Sequence, residues 1–241
     1  MREFYGSSVK DFFETKGKRF IALPAVRRHL PKAGKGERLL DVGCGMGAYY
    51  DLVTKKGYKY YGLDASHDML VRAGDEHPQG GFIVGKADRF AKVFKGKFDA
   101  ILISMVFPSI SSKQEMSAIL KECKKVMKHG RPLLLVVSHP AYDHYMQAGL
   151  LGRKNVQTHF AGYFASGTKY KTQRRTETKC FMYEDYHWTI ADYLDVLQKA
   201  GFALTALDEC MPGADAKRAD KVFYEKRMTK PTYLLLQATI V

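Results

Sequence analysis

The chain is poor in cysteine, and its few cysteines lie far apart. Four occur in 241 residues, and no two of them have C-x-x-C spacing. They are Cys44, Cys123, Cys180 and Cys210. The spacing excludes the common zinc motifs and shows no disulfide framework, so no metal is predicted. Scattered cysteines are typical of proteins in a reducing compartment, and we expect a cytoplasmic protein.

Long hydrophobic runs are also absent. The longest fully apolar run is Leu133–Val137, far shorter than the roughly 18 residues that a membrane helix needs. The first residues, Met1–Tyr5, lack the apolar stretch of a signal peptide. A charged tail is missing as well, because the net charge of +14 is spread along the chain. We expect no membrane segment, and the basic charge is weak evidence for an anionic partner.

Three glycines at alternate positions follow a short apolar segment. Leu39–Val42 predicts a buried parallel strand. Gly43, Gly45 and Gly47 then predict a tight turn at which a ligand can approach the backbone. Residues 48–53 can continue as a helix whose first N–H groups face that ligand. A strand, a glycine turn and a helix together indicate a nucleotide-binding α/β domain, although the spacing is not the G-x-G-x-x-G of dinucleotide sites.

The turn and two later segments resemble the motifs of class I S-adenosylmethionine (SAM) dependent methyltransferases. Asp41 with the glycine turn resembles the first motif, and Gly62–Leu70 resembles the second. Phe82–Asp88 and then Lys97–Ser104 resemble the next two segments of the family. The resemblance implies a Rossmann-like, doubly wound and mostly parallel seven-stranded sheet with an antiparallel last strand. It also implies SAM as the cofactor and S-adenosylhomocysteine as the product.

The resemblance further implies which residues hold the cofactor. Asp64 ends a predicted strand, where a carboxylate can bind the ribose hydroxyls, and Ser66 is available to cap the next helix. In the family an acid at the position of Asp88 accepts a hydrogen bond from the adenine amino group. Ser104 and Met105 are expected beside the methionine part. The predicted cofactor-binding residues are Asp41, Gly43, Cys44, Gly45, Gly47, Asp64, Ala65, Met69, Ala87, Asp88, Ser104 and Met105.

The chain divides into four segments. Residues 1–35 carry aromatic side chains at helical spacing and predict an N-terminal helical cap. Residues 36–138 form the SAM-binding half, residues 139–188 interrupt the βα pattern, and residues 189–241 complete the domain, with residues 211–231 expected as an exposed loop. In the family an insertion after the fifth strand commonly builds the acceptor site. The aromatic and basic residues of this insertion suit an aromatic or anionic small molecule, or stacking on bases.

His187 is the predicted catalytic residue. It precedes Trp188 and Thr189, where the insertion returns to the domain, and this junction is expected at the rim of the ligand crevice. An unperturbed imidazole has a pKa of about 6.5, which suits proton transfer near neutrality. The alternative is a histidine that only bonds the backbone at a helix entry.

The expected activity is methyl transfer to an O or N atom of a small-molecule acceptor by in-line displacement. Two signatures of base-modifying enzymes, Asn-Pro-Pro-Tyr and Pro-Cys, are absent from the sequence. One alternative is an RNA or modified-nucleoside methyltransferase, for which a nucleic-acid partner remains possible but is not favoured. The other alternative is a non-catalytic SAM-binding or scaffolding protein.

Overall fold

A central β-sheet organises the structure, a computed structural model that describes residues 15–147, 162–175 and 180–241. The strands are β1 (Arg38–Val42), β2 (Lys59–Asp64), β3 (Gly81–Val84), β4 (Ala100–Ser104), β5 (Leu133–Ser138), β6 (Thr168–Arg175), β7 (Cys180–His187), β8 (Phe202–Cys210) and β9 (Tyr233–Ile240). Seven of them form one sheet in the order β3-β2-β1-β4-β5-β9-β8. The other two, β6 and β7, form a separate antiparallel pair.

The direction and order of the strands confirm the predicted sheet. Strands β1 to β5 pair in parallel, and β9 is antiparallel to both β5 and β8. The chain fills one half of the sheet with β1, β2 and β3 before it crosses to β4 and β5. In open α/β sheets the ligand crevice lies outside the carboxyl ends of the strands at such a reversal. The topology therefore places a ligand site beyond the ends of β1 and β4.

Helices cover both faces of the sheet. They are α1 (Leu23–His29), α2 (Tyr50–Lys55), α3 (His67–Glu76), α4 (Lys113–Val126), α5 (Pro140–Gln147), α6 (Ile190–Lys199), α7 (Ala214–Ala219) and α8 (Lys221–Met228). A π-helical turn over Lys18–Ala22 leads into α1. Helices α1 and α2 contribute to one hydrophobic core, and α4 and α6 contribute to the other. Because both faces are covered, β4 and β5 are continuously apolar rather than alternating.

Side-chain caps fix where three of these helices begin. Ser66 and Ser112 accept hydrogen bonds from backbone N–H groups of α3 and α4. Thr189 and Asp192 form a reciprocal capping box at the start of α6. Each cap satisfies backbone donors that a helix start leaves without intrahelical partners. The sequence pattern predicts the cap at Ser66.

The polar stretch over residues 211–231 is helical, and the prediction of a loop there was wrong. It forms α7 and α8, and the Asp220 carboxylate accepts a hydrogen bond from Phe223 N–H at 2.9 Å. The Phe223 ring lies 6.1 Å from the Phe20 ring, centroid to centroid. Capping and one aromatic contact therefore support helices that the hydrophobic pattern does not indicate. None of the helices in the described residues is long and apolar enough to cross a membrane.

Candidate cofactor and acceptor site

A cavity of about 570 Å³ opens at the carboxyl ends of the central strands. All of the predicted cofactor residues except Gly47 line it. Gly47 lies in the same turn at φ +74°, and a Cβ added there would lie 3.1 Å from the His77 ring. The structure thus brings residues from four separate segments of the sequence to one space. No group of three or more metal-ligating side chains occurs among the residues it describes.

Gly43 and Gly45 both have left-handed backbone, but only Gly43 is also constrained by a neighbouring side chain. Gly43 has φ +73°, and a Cβ there would lie 2.3 Å from Val106 Cγ2. Gly45 has φ +55°, but a Cβ there would meet no atom within 4 Å. Gly43 is therefore required by protein packing, whereas Gly45 leaves room for a ligand beside the backbone. A nucleotide-type cofactor fits this open position.

Replacing each of these glycines by alanine is expected to separate folding from ligand binding. Gly43→Ala combines left-handed strain with a clash, and we expect a loss of about 2–4 kcal/mol in the free energy of unfolding. Gly45→Ala carries the strain alone, or about 1 kcal/mol, but its Cβ occupies ligand space and should weaken SAM binding. Denaturant unfolding and calorimetry measure the two effects. A Gly45→Ala variant that binds SAM normally would contradict the assignment.

Asp64 has the hydrogen-bonding capacity that a ribose site requires. Its Oδ2 accepts a hydrogen bond from Gly45 N–H, and its Oδ1 accepts one from Ser66 N–H, both at 2.9 Å. The two bonds fix the carboxylate at the end of β2, where the side chain lines the cavity. Each carboxylate oxygen has a second lone pair, so two further donors can bind. Two neighbouring hydroxyls are such donors.

Asp88 lines the cavity together with the arginine that follows it. Arg89 Nε lies 3.2 Å from Asp88 Oδ1, and Arg89 Nη2 lies 3.1 Å from Asp88 Oδ2. These hydrogen bonds lower the pKa of Asp88 and keep the carboxylate ionised. An ionised carboxylate is an acceptor only, which agrees with a role toward an amino group.

Asp41 is a buried acid in the wall of the cavity. It is 1% exposed, and the Tyr60 hydroxyl donates a hydrogen bond to its Oδ2 at 2.7 Å. Burial raises the pKa of Asp41 to about 7, although the Tyr60 hydrogen bond and the charge of Lys18 lower it. The Asp41 carboxyl group therefore titrates near neutrality. A cation that enters the cavity would favour its ionised form.

Strained backbone follows the end of β4. Met105 has φ +59°, a left-handed conformation that no other non-glycine residue of the described segments adopts. Its N–H donates a hydrogen bond to the Val136 carbonyl at 2.8 Å, which holds the conformation. Such a conformation costs about 1–2 kcal/mol for a residue with a Cβ. Strain of this kind is concentrated at ligand sites, and Met105 lines the cavity beside Ser104.

The cavity continues past the cofactor residues into a part that we call the acceptor half. It is lined by Ser138, Tyr142, Asp143, Tyr170, Asp185 and Tyr233, from β5, α5, the β6–β7 pair and β9. Asp143 and Asp185 are each 4% exposed. Tyr170 forms a hydrogen bond with the Asp143 carboxyl group. The Ser109 hydroxyl donates to Asp185 Oδ1 at 3.3 Å.

His187 lies beside this half and is not among the described residues that line the cavity. It is 0% exposed, and its Nε2 lies 2.7 Å from the Tyr163 carbonyl oxygen. A carbonyl oxygen only accepts, so Nε2 carries the hydrogen. The other nitrogen, Nδ1, lies 3.8 Å from Asp143 Oδ2, an ion-pair distance. Among the described contacts, His187 meets the cavity wall at Asp143, whose pKa is raised by burial.

Several cavity-lining residues have no counterpart in the sequence-based set. Lys18 and Thr15 come from the N-terminal segment, and Tyr49 bonds Ser104 Oγ through its hydroxyl at 2.8 Å. Asp143 and Asp185 come from the insertion. A signal existed for Asp143, because it follows the end of β5 by five residues and strand ends define the crevice. For Asp185, the sequence-based signal is its position two residues before His187, the predicted catalytic residue.

Comparisons with known proteins indicate a methyltransferase domain. Residues 40–135 match the family model described as a methyltransferase domain. An uncharacterized protein of Haemophilus influenzae is 25% identical over 199 residues, covering 79% of this chain and 76% of that protein. The 18S rRNA (guanine-N(7))-methyltransferase of Mus musculus is 32% identical over 69 residues, covering 29% of this chain. That match spans 25% of the mouse enzyme.

The solved structures show the fold. An S-adenosylmethionine-dependent methyltransferase from Mesorhizobium loti superposes with a TM-score of 0.65 at 21% identity, covering 90% of this chain and 96% of that one. Residues 40–135 carry a methyltransferase domain, and the sheet is the Rossmann-like fold of SAM-dependent methyltransferases. The protein is therefore an enzyme of the SAM-dependent methyltransferase type, and its cofactor is SAM.

Proposed function

We propose that the chain methylates an O or N atom of a small-molecule acceptor that binds in the acceptor half of the cavity. The observation that carries this proposal is the burial of the walls, since Asp143, Tyr170 and Asp185 are each only 4% exposed. Buried walls of this kind suit a small molecule that fits between them. Exclusion of water and alignment of the two reactants supply much of the rate in a displacement of this kind.

The proposal gives the cofactor-lining residues separate roles. Asp64 binds the ribose hydroxyls, Asp88 accepts from the adenine amino group, and Gly43–Gly45 with Ser104 and Met105 hold the methionine end. SAM supplies a methyl group on a sulfonium, which is already an activated leaving group. The protein therefore needs only to orient the acceptor, exclude water and remove a proton.

Asp64→Ala is expected to weaken SAM binding by about 10- to 100-fold, because charge-assisted hydrogen bonds contribute roughly 1.5–3 kcal/mol. Calorimetry on the folded variant measures this. Asp68→Asn is a matched control, because Asp68 is an exposed acid four residues away on α3. An unchanged dissociation constant for SAM in Asp64→Ala would contradict the assignment of Asp64 to the ribose site. An equal loss of SAM affinity in Asp68→Asn would contradict it as well.

Methylation of RNA is the second candidate. The similarity to the mouse rRNA methyltransferase and the net charge of +14 favour it. The similarity, however, covers 69 residues, less than a third of the chain. An RNA substrate would also require the target base to enter the acceptor half between these buried walls.

Incubation with methyl-labelled SAM and cell extract distinguishes the two candidates. After the reaction, the extract is separated into small molecules, RNA and protein, and the label is followed. Label in a small molecule supports the proposal, and mass spectrometry then identifies the methylated atom. Label in RNA alone would overturn it. A heat-treated enzyme serves as the control for background transfer.

A further inference from the structure

Most of the net positive charge lies at the end of the sheet opposite the cavity. Strands β2, β1, β4 and β5 are neighbours and run in parallel, so the segments that lead into them lie side by side. We call residues 31–38, 55–59, 95–99 and 124–131 the amino edge. They carry twelve lysine or arginine residues and two acids. The rest of the chain carries 27 basic and 23 acidic residues, so the amino edge holds ten of the fourteen net charges.

Hydrogen bonds between the four segments join them into one surface. The bonds run from Lys59 N–H to the Glu37 carbonyl at 2.8 Å, from Arg38 Nη1 to the Lys95 carbonyl at 2.8 Å, and from Lys128 N–H to the Phe98 carbonyl at 3.0 Å. Charges that are far apart in the sequence are therefore neighbours in the fold. The surface ends before β3, because α3, which precedes that strand, ends with Asp75 and Glu76.

Most lysines of the amino edge are exposed to solvent. Lys125 and Lys128 pair with Glu122 and Asp99, two acids that are themselves buried. Six further exposed lysines form no ion pair with any residue that the structure describes. They are Lys32, Lys35, Lys55, Lys59, Lys95 and Lys97. The charge of these six side chains is available to an anionic partner.

The composition of this surface favours nucleic acid over a membrane or a protein partner. Among the described residues, none of the exposed large hydrophobic side chains lies in the amino edge. Membrane-surface segments and protein interfaces depend on such side chains. The exposed cations are lysines, which neutralise phosphates as point charges. The guanidinium groups that read guanine in other proteins are engaged here within the protein, Arg38 with the Lys95 carbonyl and Arg131 with Glu37.

We propose that the amino edge binds the phosphate backbone of nucleic acid, independently of base sequence. The five residues of β1 span about 16 Å, so nucleic acid bound there lies across the sheet from the cavity. The surface therefore docks the enzyme and leaves the cavity open to its acceptor. The inference goes beyond the proposed function, because it concerns a surface that the methyl transfer does not use.

Fluorescence anisotropy with a short labelled RNA hairpin tests the binding itself. We expect a dissociation constant of about 1–100 μM at physiological salt, rising steeply between about 50 and 200 mM KCl as counterions compete for the phosphates. A DNA duplex of the same length should bind comparably, because the lysines contact phosphates and not the 2′-hydroxyl. Absence of salt-dependent binding, or stronger binding to phosphatidylserine–phosphatidylcholine vesicles than to both nucleic acids, would overturn the proposal.

A triple variant locates the binding. Lys35→Gln, Lys59→Gln and Lys97→Gln together remove one exposed cation from each of three segments of the amino edge. We expect RNA affinity near 0.1 M salt to fall by at least 10-fold, and the slope of log K against log salt to become shallower by about 2–3. The thermal melting temperature and the affinity for S-adenosylhomocysteine should stay unchanged, because these side chains are exposed and none lines the cavity.

A second triple variant with the same net charge is the control. Lys217→Gln, Lys221→Gln and Lys226→Gln remove three exposed cations from α7 and α8, which connect β8 to β9 near the cavity residue Tyr233. RNA affinity in this control should stay within about 2-fold of normal. An equal loss in both triple variants would show that net charge alone drives binding, and a larger loss in the control would place the nucleic acid at the cavity end. Either result would overturn the proposal.

The test is separate from that of the proposed function. Incubation with methyl-labelled SAM decides which molecule is methylated, whereas the anisotropy experiment needs neither SAM nor an acceptor. Label in a small molecule together with RNA binding at the amino edge would support both proposals. Label in a small molecule with no loss of RNA affinity in the amino-edge variant would support the proposed function and refute the docking surface.

Discussion

The Asp143→Asn variant is expected to lower kcat by about 10²–10⁴-fold, the usual contribution of a positioned base. Asparagine has the same shape and can keep a hydrogen bond with Tyr170, but it cannot take a proton from the acceptor. Single-turnover kinetics with the identified acceptor measures the effect. Calorimetry should show SAM affinity within a few-fold of normal, because Asp143 lines only the acceptor half.

His187→Gln tests the histidine that lies beside Asp143, outside the cavity lining. Glutamine can still donate to the Tyr163 carbonyl, but it places no ring nitrogen beside Asp143. If His187 positions Asp143, the variant should lose less activity than Asp143→Asn and should show a displaced pH profile. A near-normal kcat in Asp143→Asn, with the large loss in His187→Gln, would instead make the histidine the base.

The fold was predictable because its determinants are local. Each βα unit carries its own signals, such as the unbroken apolar segment of β5 and the cap at Ser112. Parallel pairing and right-handed crossovers then leave few ways to assemble the units. The segment over residues 211–231 escaped prediction because its helices depend on a distant contact, between Phe223 and Phe20.

The cofactor end of the cavity could be predicted from the sequence and the acceptor half could not, for the same reason. The cofactor end is built from turns that directly follow β1, β2 and β4, so a pattern in the sequence locates it. The acceptor half depends on how the insertion folds back, which places Asp185 opposite Tyr170 across the β6–β7 pair. Tyr170 in turn bonds Asp143 from a separate helix. No periodic pattern in the sequence predicts that these three segments come together.

The basic net charge of the chain is weak evidence about its acceptor for an electrostatic reason. Charges exposed to water and separated by more than about 8 Å are largely screened at physiological ionic strength. Groups that line an enclosed cavity are screened much less, so a few buried carboxylates outweigh a basic surface there. Asp143 and Asp185 line this cavity, so their charge bears on a bound acceptor more directly than the charge of the surface does.

SAM binding is expected to weaken by about 15-fold from pH 7 to pH 5.5, because Asp41 titrates in this interval. Burial raises the pKa of Asp41 from its ordinary value of 3.8 to about 7. The sulfonium and ammonium groups of SAM favour the ionised carboxylate, so binding releases a proton wherever Asp41 starts protonated. Below pH 7 this proton release lowers the apparent affinity for SAM. The SAM amino group titrates near 8 and stays charged throughout.

The sign is opposite for the stability of the ligand-free protein. A raised pKa means that the folded state holds a proton that the unfolded state has lost, so the free energy of unfolding falls as pH rises from about 4 to 7. The groups that face Asp41 are Tyr60, Cys44, Tyr49, Lys18 and Asp64. Calorimetry in two buffers of different ionisation enthalpy counts the released proton directly. Asp41→Asn should abolish both the proton release and the pH dependence. If that variant retains the full pH dependence of SAM binding, the titrating group lies elsewhere in the cavity.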